Sequence, residues 1–149
     1  MKSLLAIVLG LLLAPTLHAN DSPEALQEAF MTALKAGDVD GIAACYTEDA
    51  VSYDVGVQVL HGPEAISGSW GDFFKAYEVL NAKLYDNTLE THGDTGIAWG
   101  EFKLHVQPKA GGDPFDMVGR FTDVSRKVDG SYLYVLDHVS MVPAAPAEE

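Results

Sequence analysis

Apolar residues recur at helical spacing in the first half of the chain. In the first such segment, Ser22 suits an N-cap, Pro23 suits the first helical position, and Gly37 suits the end of the helix. The apolar face of this helix carries Leu26, Phe30, Ala33 and Leu34. The same reasoning predicts a short second helix over about 40–46 and a third helix that begins at Gly62.

From about Val79 the helical period gives way to the two-residue period of β-strands. Asp129-Gly130 is the favoured pair for a tight hairpin before the last strand. Two short strands are predicted ahead of the third helix, over 50–54 and around Val57 and Val59. Four long strands are predicted over about 80–90, 96–106, 116–127 and 132–142. Helices followed by hairpin-linked strands indicate an α+β domain with helices on one face of a sheet.

The first nineteen residues have the pattern of a cleavable signal peptide. A short positive start precedes an apolar stretch over 4–13, and Ala19 is the small residue expected before a cleavage site. That stretch is too short to span roughly 30 Å of hydrocarbon. We therefore expect a signal peptide over 1–19, a mature domain over 20–142, and a disordered tail over 143–149. The expected location is secreted or periplasmic.

The charge balance excludes some classes of partner. The chain has 149 residues, with 22 acidic against 9 basic side chains and a formal charge of −13. Such a chain offers no basic patch to nucleic acid or to an anionic membrane surface, whereas cationic or neutral ligands are easier to accept. Cys45 is the only cysteine, and the histidines follow no metal-binding spacing. We expect no metal and no cofactor.

Three segments resemble a known family. These are "ALKAGDVDGIAACYTEDAVSYD", "LHGPEAI" and "GRFTDVSRKVDGSYLYVLDHVSMVP", and the last matches the closing hairpin of that family. Together with the order of elements, they make residues 22–142 similar to the nuclear transport factor 2-like superfamily, in its SnoaL-like branch. Ketosteroid isomerase-like and kinase association-domain-like proteins are among the resembling groups. The match departs at Tyr132, where the family usually has Trp, and at Leu136, where it often has His.

The resemblance implies a cone of three N-terminal helices packed on a curved, mostly antiparallel six-stranded sheet. It implies a pocket between sheet and helices, and a dimer formed through the sheet. Members of the family include isomerases, polyketide cyclases, epoxide hydrolases and non-catalytic ligand binders. Because function lies in the few polar groups of the cavity, the fold alone does not choose among these activities.

Four residues are expected to point into such a cone: Tyr53, Trp70, Arg120 and His138. Tyr53 lies on the first strand, at a position that lines the pocket in related hydrolases, and Trp70 lies on the third helix. These four form the expected ligand pocket.

Arg120 and His138 are the candidate catalytic pair. Counting outward from the hairpin places Arg120 nearly opposite Val139 and beside His138. Together they could hold a carboxylate or enolate while the histidine moves a proton. The alternative is structural, with Arg120 paired to Asp137 or Asp123.

Two classes of function stay open at this level. The first is an exported domain, not itself a catalyst, that binds a small apolar or weakly anionic molecule. The second is an isomerase or cyclase that uses a pocket His or Asp as general acid or base, with Asp54 or Asp72 as carboxylate candidates. A deep, dry carboxylate or histidine with a strongly perturbed pKa would favour the enzyme.

One further row of side chains predicts an assembly. Trp99, Glu101, Lys103 and His105 alternate with the apolar residues of their strand, so they share the opposite face of the sheet. A Trp on that face predicts a homodimer formed through the sheet.

Overall fold

The structure, a computed structural model, describes residues 20–56 and 58–142. The predicted signal peptide over 1–19 and the predicted tail over 143–149 lie outside these residues. Within the described part, no helix has the length and apolar character needed to cross a membrane. In chain order the elements are α1 (Pro23–Ala36), α2 (Val39–Ala43), β1 (Tyr46–Tyr53), β2 (Leu60–His61), α3 (Gly62–Ala76), β3 (Tyr77–His92), β4 (Thr95–Pro108), β5 (Phe115–Val128) and β6 (Ser131–Met141).

The six strands form one curved sheet in the order β2-β1-β6-β5-β4-β3. β1 runs parallel to β6, and every other pair of neighbours is antiparallel. The three helices precede the long strands in the chain, and α1 and α3 contact the sheet. This arrangement confirms the predicted α+β cone with a six-stranded, mostly antiparallel sheet.

Local signals set the ends of the first helix as predicted. The Ser22 hydroxyl accepts a hydrogen bond from the Ala25 amide at 3.2 Å, which satisfies an N–H that the helix leaves free. Gly37 ends the helix with a left-handed φ of 65°, which glycine adopts without steric cost. The second helix, α2, ends at Ala43, earlier than the predicted 46.

β1 begins four residues before its predicted start. Tyr46 pairs with Tyr134 of β6 in the parallel register, and this contact recruits Tyr46 into the sheet. β2 is confined to Leu60–His61, so Val59 precedes the strand that was predicted around it. Val57 lies outside the described residues.

A β-bulge interrupts the hairpin between β5 and β6. The predicted turn at Asp129-Gly130 is present, with φ of 49° and 89° at its two residues. Near the turn Ser125 pairs with Tyr134, but the next pair is Val124 with Leu136, which leaves Val135 without a partner. Beyond Val135, each residue of β5 therefore pairs with a β6 residue one number higher than simple counting from the turn predicts.

The hydrophobic core fills the space between the helices and one face of the sheet. Its largest fully buried side chains are Leu26, Ile42, Ile66 and Val106. Aromatic rings extend this core at the wider part of the cone: Phe30 makes edge contacts with Tyr46, Trp70 and Tyr134. These aromatic rings therefore lie next to the aliphatic core and enclose a space between the helices and the sheet.

Truncation of the core should cost far more than truncation of the surface. Leu26 is fully buried, whereas Leu80 is 48% exposed. We expect Leu26→Ala to lower the free energy of unfolding by about 2–5 kcal/mol. The matched Leu80→Ala should change it by less than about 0.5 kcal/mol. Urea unfolding followed by circular dichroism measures both, and equal losses would contradict this account of the core.

Candidate functional site

A cavity of about 340 Å³ lies between the helices and the inner face of the sheet. Its wall is mostly apolar, with three methionines, several aliphatic side chains and seven aromatic rings. The rings belong to Phe30, Tyr46, Trp70, Phe73, Phe102, Phe121 and Tyr134. A space of this size and character is suited to a small, largely apolar molecule.

Two carboxyl groups face this cavity from adjacent strands. Asp123 on β5 lies directly opposite Asp137 on β6, and both line the cavity. Directly opposite residues of an antiparallel pair have Cβ atoms about 5 Å apart. The bulge at Val135 produces this pairing, because simple counting from the turn would place Thr122 opposite Asp137.

The two carboxyl groups differ in their partners. Asp137 is 9% exposed, and its Oδ2 accepts hydrogen bonds from the Tyr46 hydroxyl at 3.0 Å and the Ser52 hydroxyl at 3.3 Å. Asp123 Oδ1 is buried, and no donor among the described residues lies within hydrogen-bond distance of it. When Asp123 carries a proton, the two carboxyl groups can share a hydrogen bond.

Burial controls the protonation of the pair. Burial raises the pKa of Asp123 well above the ordinary carboxyl value, and the nearby Asp137 carboxylate raises it further. Burial also raises the pKa of Asp137, while the hydrogen bonds from Tyr46 and Ser52 oppose that rise by stabilising its ionised form. The pKa of Asp123 is therefore raised more strongly than that of Asp137, so a single proton on the pair is held mainly by Asp123.

Two tyrosine hydroxyls lie beside the pair. Burial raises the pKa of Tyr46 and of Tyr134 well above the ordinary phenol value, and the neighbouring carboxyl groups add to both shifts. Both hydroxyls therefore stay protonated and remain hydrogen-bond donors. Tyr46 already donates to Asp137.

The two carboxylates considered from the sequence lie in different places. Asp54 lines the cavity and accepts a hydrogen bond from the Ser69 hydroxyl at 3.4 Å. Asp72 lies on the exposed side of α3, where it forms an ion pair with Lys75 at 2.7 Å. Of these two carboxylates, only Asp54 lines the cavity.

Of the four residues expected to line the pocket, Trp70 does so. Tyr53, Arg120 and His138 lie instead on the outer face of the sheet, where all three are exposed. The Tyr53 ring contacts the His138 ring there, with centroids 6.0 Å apart. The expectation that these three side chains point into the cone is wrong, because each occupies the opposite position in the alternation of its strand.

Because of the bulge, the cross-strand neighbour of Arg120 differs from the predicted one. Arg120 lies opposite Ser140 rather than Val139, and His138 lies opposite Thr122. The Arg120 guanidinium pairs with Glu101 at 3.3 Å and with neither carboxyl group of the cavity. Arg120 and His138 do share a face, but that face is outside the cavity.

From the sequence, Asp123 and Asp137 were expected only as ion-pair partners of Arg120. Their pairing with each other inside the cavity was not predicted. A signal was present on each strand. Asp123 continues the inner alternation between Phe121 and Ser125, and Asp137 continues the one that leads to Val139. A carboxyl group in an inward-facing position is an anomaly that indicates function or a specific partner.

The outer face holds paired charges around Trp99. Lys103 and His105 both bond to Asp116 at 2.8 Å, and Trp99 is 38% exposed. As predicted, Trp99, Glu101, Lys103 and His105 lie on the face opposite the buried residues of β4.

Comparison with known proteins identifies related sequences and folds. Residues 27–134 match the family model of the SnoaL-like domain. No curated protein sequence matches the chain. Among solved structures, a protein from Xanthomonas campestris assigned to the calcium/calmodulin-dependent protein kinase II association domains is 24% identical. The match covers 82% of this chain and 86% of that one, with a TM-score of 0.72.

Two other solved structures carry the names of enzymes. A ketosteroid isomerase-like protein from Erwinia carotovora atroseptica is 20% identical over 80% of this chain and 93% of its own, with a TM-score of 0.70. A protein from Novosphingobium aromaticivorans assigned as a scytalone dehydratase is 11% identical over 80% and 81%, with a TM-score of 0.71. At these identities the likeness shows a common fold.

The buried pair should make stability fall as pH rises. A carboxyl group whose folded pKa is raised holds its proton in the folded state after the unfolded chain has lost it, so stability decreases from the ordinary carboxyl range up to the raised pKa. Asp123→Asn abolishes this proton uptake and keeps an N–H donor for Asp137. At pH 7 it should therefore increase the free energy of unfolding by about 1.4 kcal/mol for each unit of pKa elevation.

At pH 4 the increase in the free energy of unfolding caused by Asp123→Asn should be much smaller. At that pH the Asp123 carboxyl group carries much of its proton in the unfolded state as well as in the folded state. Urea unfolding at pH 4 and pH 7 measures the difference. Asp113→Asn, in an exposed loop, serves as the matched control and should leave the pH dependence unchanged. A variant that is destabilised equally at both pH values would contradict the protonated pair.

Proposed function

The chain belongs to the SnoaL-like domain family, and within that family we propose that it binds a small, largely apolar molecule in the cavity and moves a proton on it. The observation that carries this proposal is the Asp123–Asp137 pair in an otherwise apolar wall. A pair that holds one proton contains both a base and an acid at the same place. A buried pair with perturbed pKa values in a cleft is typical of acid–base catalysis.

The proposed chemistry is an isomerisation through an enolate. The ionised carboxylate of the pair takes a proton from a carbon next to a carbonyl group, and the electrons of that C–H bond move to the carbonyl oxygen. The pair returns the proton at another carbon, so that atoms and charge balance and the pair again holds one proton. The Tyr134 hydroxyl, which stays protonated, is the available donor to the enolate oxygen.

The related structures support this class of reaction. One is named for its likeness to ketosteroid isomerase and another for scytalone dehydratase. Isomerisation and dehydration both begin with removal of a proton from carbon next to an electron-withdrawing group. In the proposal, the carboxyl pair replaces Arg120 and His138 as the acid–base group.

A second candidate function is binding without catalysis. It is favoured by the hydrogen bonds that hold Asp137, since Tyr46 and Ser52 give that carboxylate a structural role. Native mass spectrometry of protein purified from its own host tests this candidate. A retained small molecule that leaves chemically unchanged would support binding alone.

We also propose that the protein is exported. The proposal rests on the signal-like sequence of residues 1–19. N-terminal sequencing of the protein from its host, fractionated into cytoplasm, periplasm and medium, tests it. Mature chains that begin at Asn20 outside the cytoplasm are expected.

A homodimer through the outer face of the sheet is the third proposal. Three large side chains on that face are exposed: Tyr53 at 48%, Tyr85 at 43% and Trp99 at 38%. They lie close to the paired charges of Glu101 and Arg120. An exposed aromatic patch rimmed by charged groups is typical of a surface that meets another protein.

Proton transfer is measurable with a simple ketone. In D2O, the protein should accelerate deuterium incorporation next to the carbonyl of 1-tetralone, which is small and apolar, as followed by NMR. Asp123→Asn and Asp137→Asn should each reduce this acceleration by about 10²–10⁴-fold, the usual contribution of general acid–base catalysis.

His138→Asn is the discriminating control for this experiment. Because His138 lies on the outer face, the exchange rate should stay at the wild-type value. If His138→Asn loses the exchange activity while both Asp variants keep it, His138 rather than the carboxyl pair is the acid–base group. No acceleration by the wild type would contradict proton transfer in the cavity.

The dimer is tested by sedimentation at micromolar concentration. The wild type should sediment at twice the mass of one chain. Trp99→Glu should yield a monomer, because an unpaired charge buried at the interface costs several kcal/mol. Trp99→Phe, which keeps an apolar ring, should remain a dimer. A monomeric wild type would contradict the proposal.

A further inference from the structure

The charged groups that line the cavity all have one sign. Asp54, Asp123 and Asp137 are acidic, and no Lys, Arg or His is found among the described residues of the lining. On the outer face the situation differs, since Glu101 and Asp116 each have a basic partner. The cavity is therefore a negative site to which the described protein supplies no counter-charge.

The carboxyl pair carries one negative charge while it shares one proton. Hydrogen bonds from Tyr46 and Ser52 spread this charge but do not neutralise it. Asp123 Oδ1 is buried and has no donor among the described residues. A buried charge without a partner of opposite sign is costly, so a ligand that brings one positive charge would relieve the cost.

The remaining wall also suits a cation. Phe30, Tyr46 and Tyr134 contact one another beside the pair, and Trp70 packs against Phe30 with ring centroids 5.9 Å apart. The faces of such rings attract a positive charge, most strongly when water is excluded. The same rings exclude water from the apolar part of a ligand.

We propose that this cavity binds hydrophobic monoamines, whose protonated nitrogen lies against Asp123 and Asp137 and whose apolar body fills the aromatic wall. This inference rests on the binding part of the proposed function, because it names a ligand class of the same cavity, and it is separate from the enolate step, which needs a carbonyl group on the substrate. It replaces the expectation of a weakly anionic ligand, which depended on Arg120 in the pocket.

The overall charge of the protein supports the same class. With a formal charge of −13, the surface potential attracts cations toward the cavity and repels anions. This long-range attraction is screened by salt, whereas the contact with the buried pair is screened much less. The two contributions can therefore be separated by salt.

Three probes that differ in one substituent test the proposal: 2-naphthylmethylammonium, 2-naphthalenemethanol and 2-naphthoate. Isothermal titration calorimetry at pH 7 measures each affinity in 0.15 M and 1 M NaCl. The ammonium should bind at least tenfold more tightly than the alcohol at both salt concentrations, and the naphthoate should bind more weakly than the alcohol.

The variants locate the preference. Asp123→Asn/Asp137→Asn should abolish the advantage of the ammonium while it changes the affinity for the alcohol by less than about threefold. Asp21→Asn/Asp113→Asn replaces two carboxyl groups at exposed positions and should keep the advantage. If the cavity variant does not fold, the affinities of the wild type for the three probes are sufficient to test the preference for the ammonium.

The outcomes separate this inference from the proposed function. If the alcohol binds as tightly as the ammonium, or if 1 M NaCl removes the difference, the amine class is wrong while binding in the cavity stands. If the preference survives in the cavity variant, the carboxyl pair does not recognise the cation. If none of the three probes binds, the proposed binding function itself is overturned.

Discussion

The bulge at Val135 determines which residues of β6 face the cavity. In a regular strand, side chains three positions apart lie on opposite faces. Because Val135 is left unpaired, Tyr134 before it and Asp137 after it both face inward. The same shift aligns Asp123 with Asp137 across the two strands. Without this one residue the aromatic wall and the carboxyl pair would not share a face.

The parallel pairing of β1 with β6 lowers the energetic cost of burying the carboxyl groups of Asp123 and Asp137. Tyr46 lies beside Tyr134, and Ser52 lies beside Asp137 in that register. Both hydroxyls bond to the Asp137 carboxyl group, which opposes the rise in its pKa that burial causes. Asp123 receives no such support, and its pKa is raised more strongly. Two chemically identical side chains thereby acquire different pKa values from the strands beside them.

The two faces of the sheet show why a common fold does not dictate one activity. On the outer face, acids and bases such as Glu101 and Arg120 neutralise each other in contact with solvent. The cavity lining holds three acids, Asp54, Asp123 and Asp137, among aromatic rings, with no base among the described lining residues. Three of the solved structures with this fold are named for an association domain, for a likeness to ketosteroid isomerase and for scytalone dehydratase. Activity depends on a few polar groups of the cavity, which a common sheet does not determine.

The sequence by itself determined the helices, the hairpin and the class of fold. Ser22, Pro23 and Gly37 act within a few residues of their own position, and Asp129-Gly130 sets its turn in the same way. The alternation along β4 likewise predicted which side of the sheet carries Trp99. Trp70 was placed correctly because its helical face follows from the spacing of its neighbours.

Only the tertiary structure decided the site. Which way Arg120, His138 and Tyr53 point depends on how their strands pair, and that depends on residues far away in the chain. A β-bulge leaves no local mark in one sequence, yet it moves every later residue by one position and so exchanges the two faces. For this reason counting from the turn placed His138 inside the cone, whereas in the structure Asp137 faces the cavity opposite Asp123.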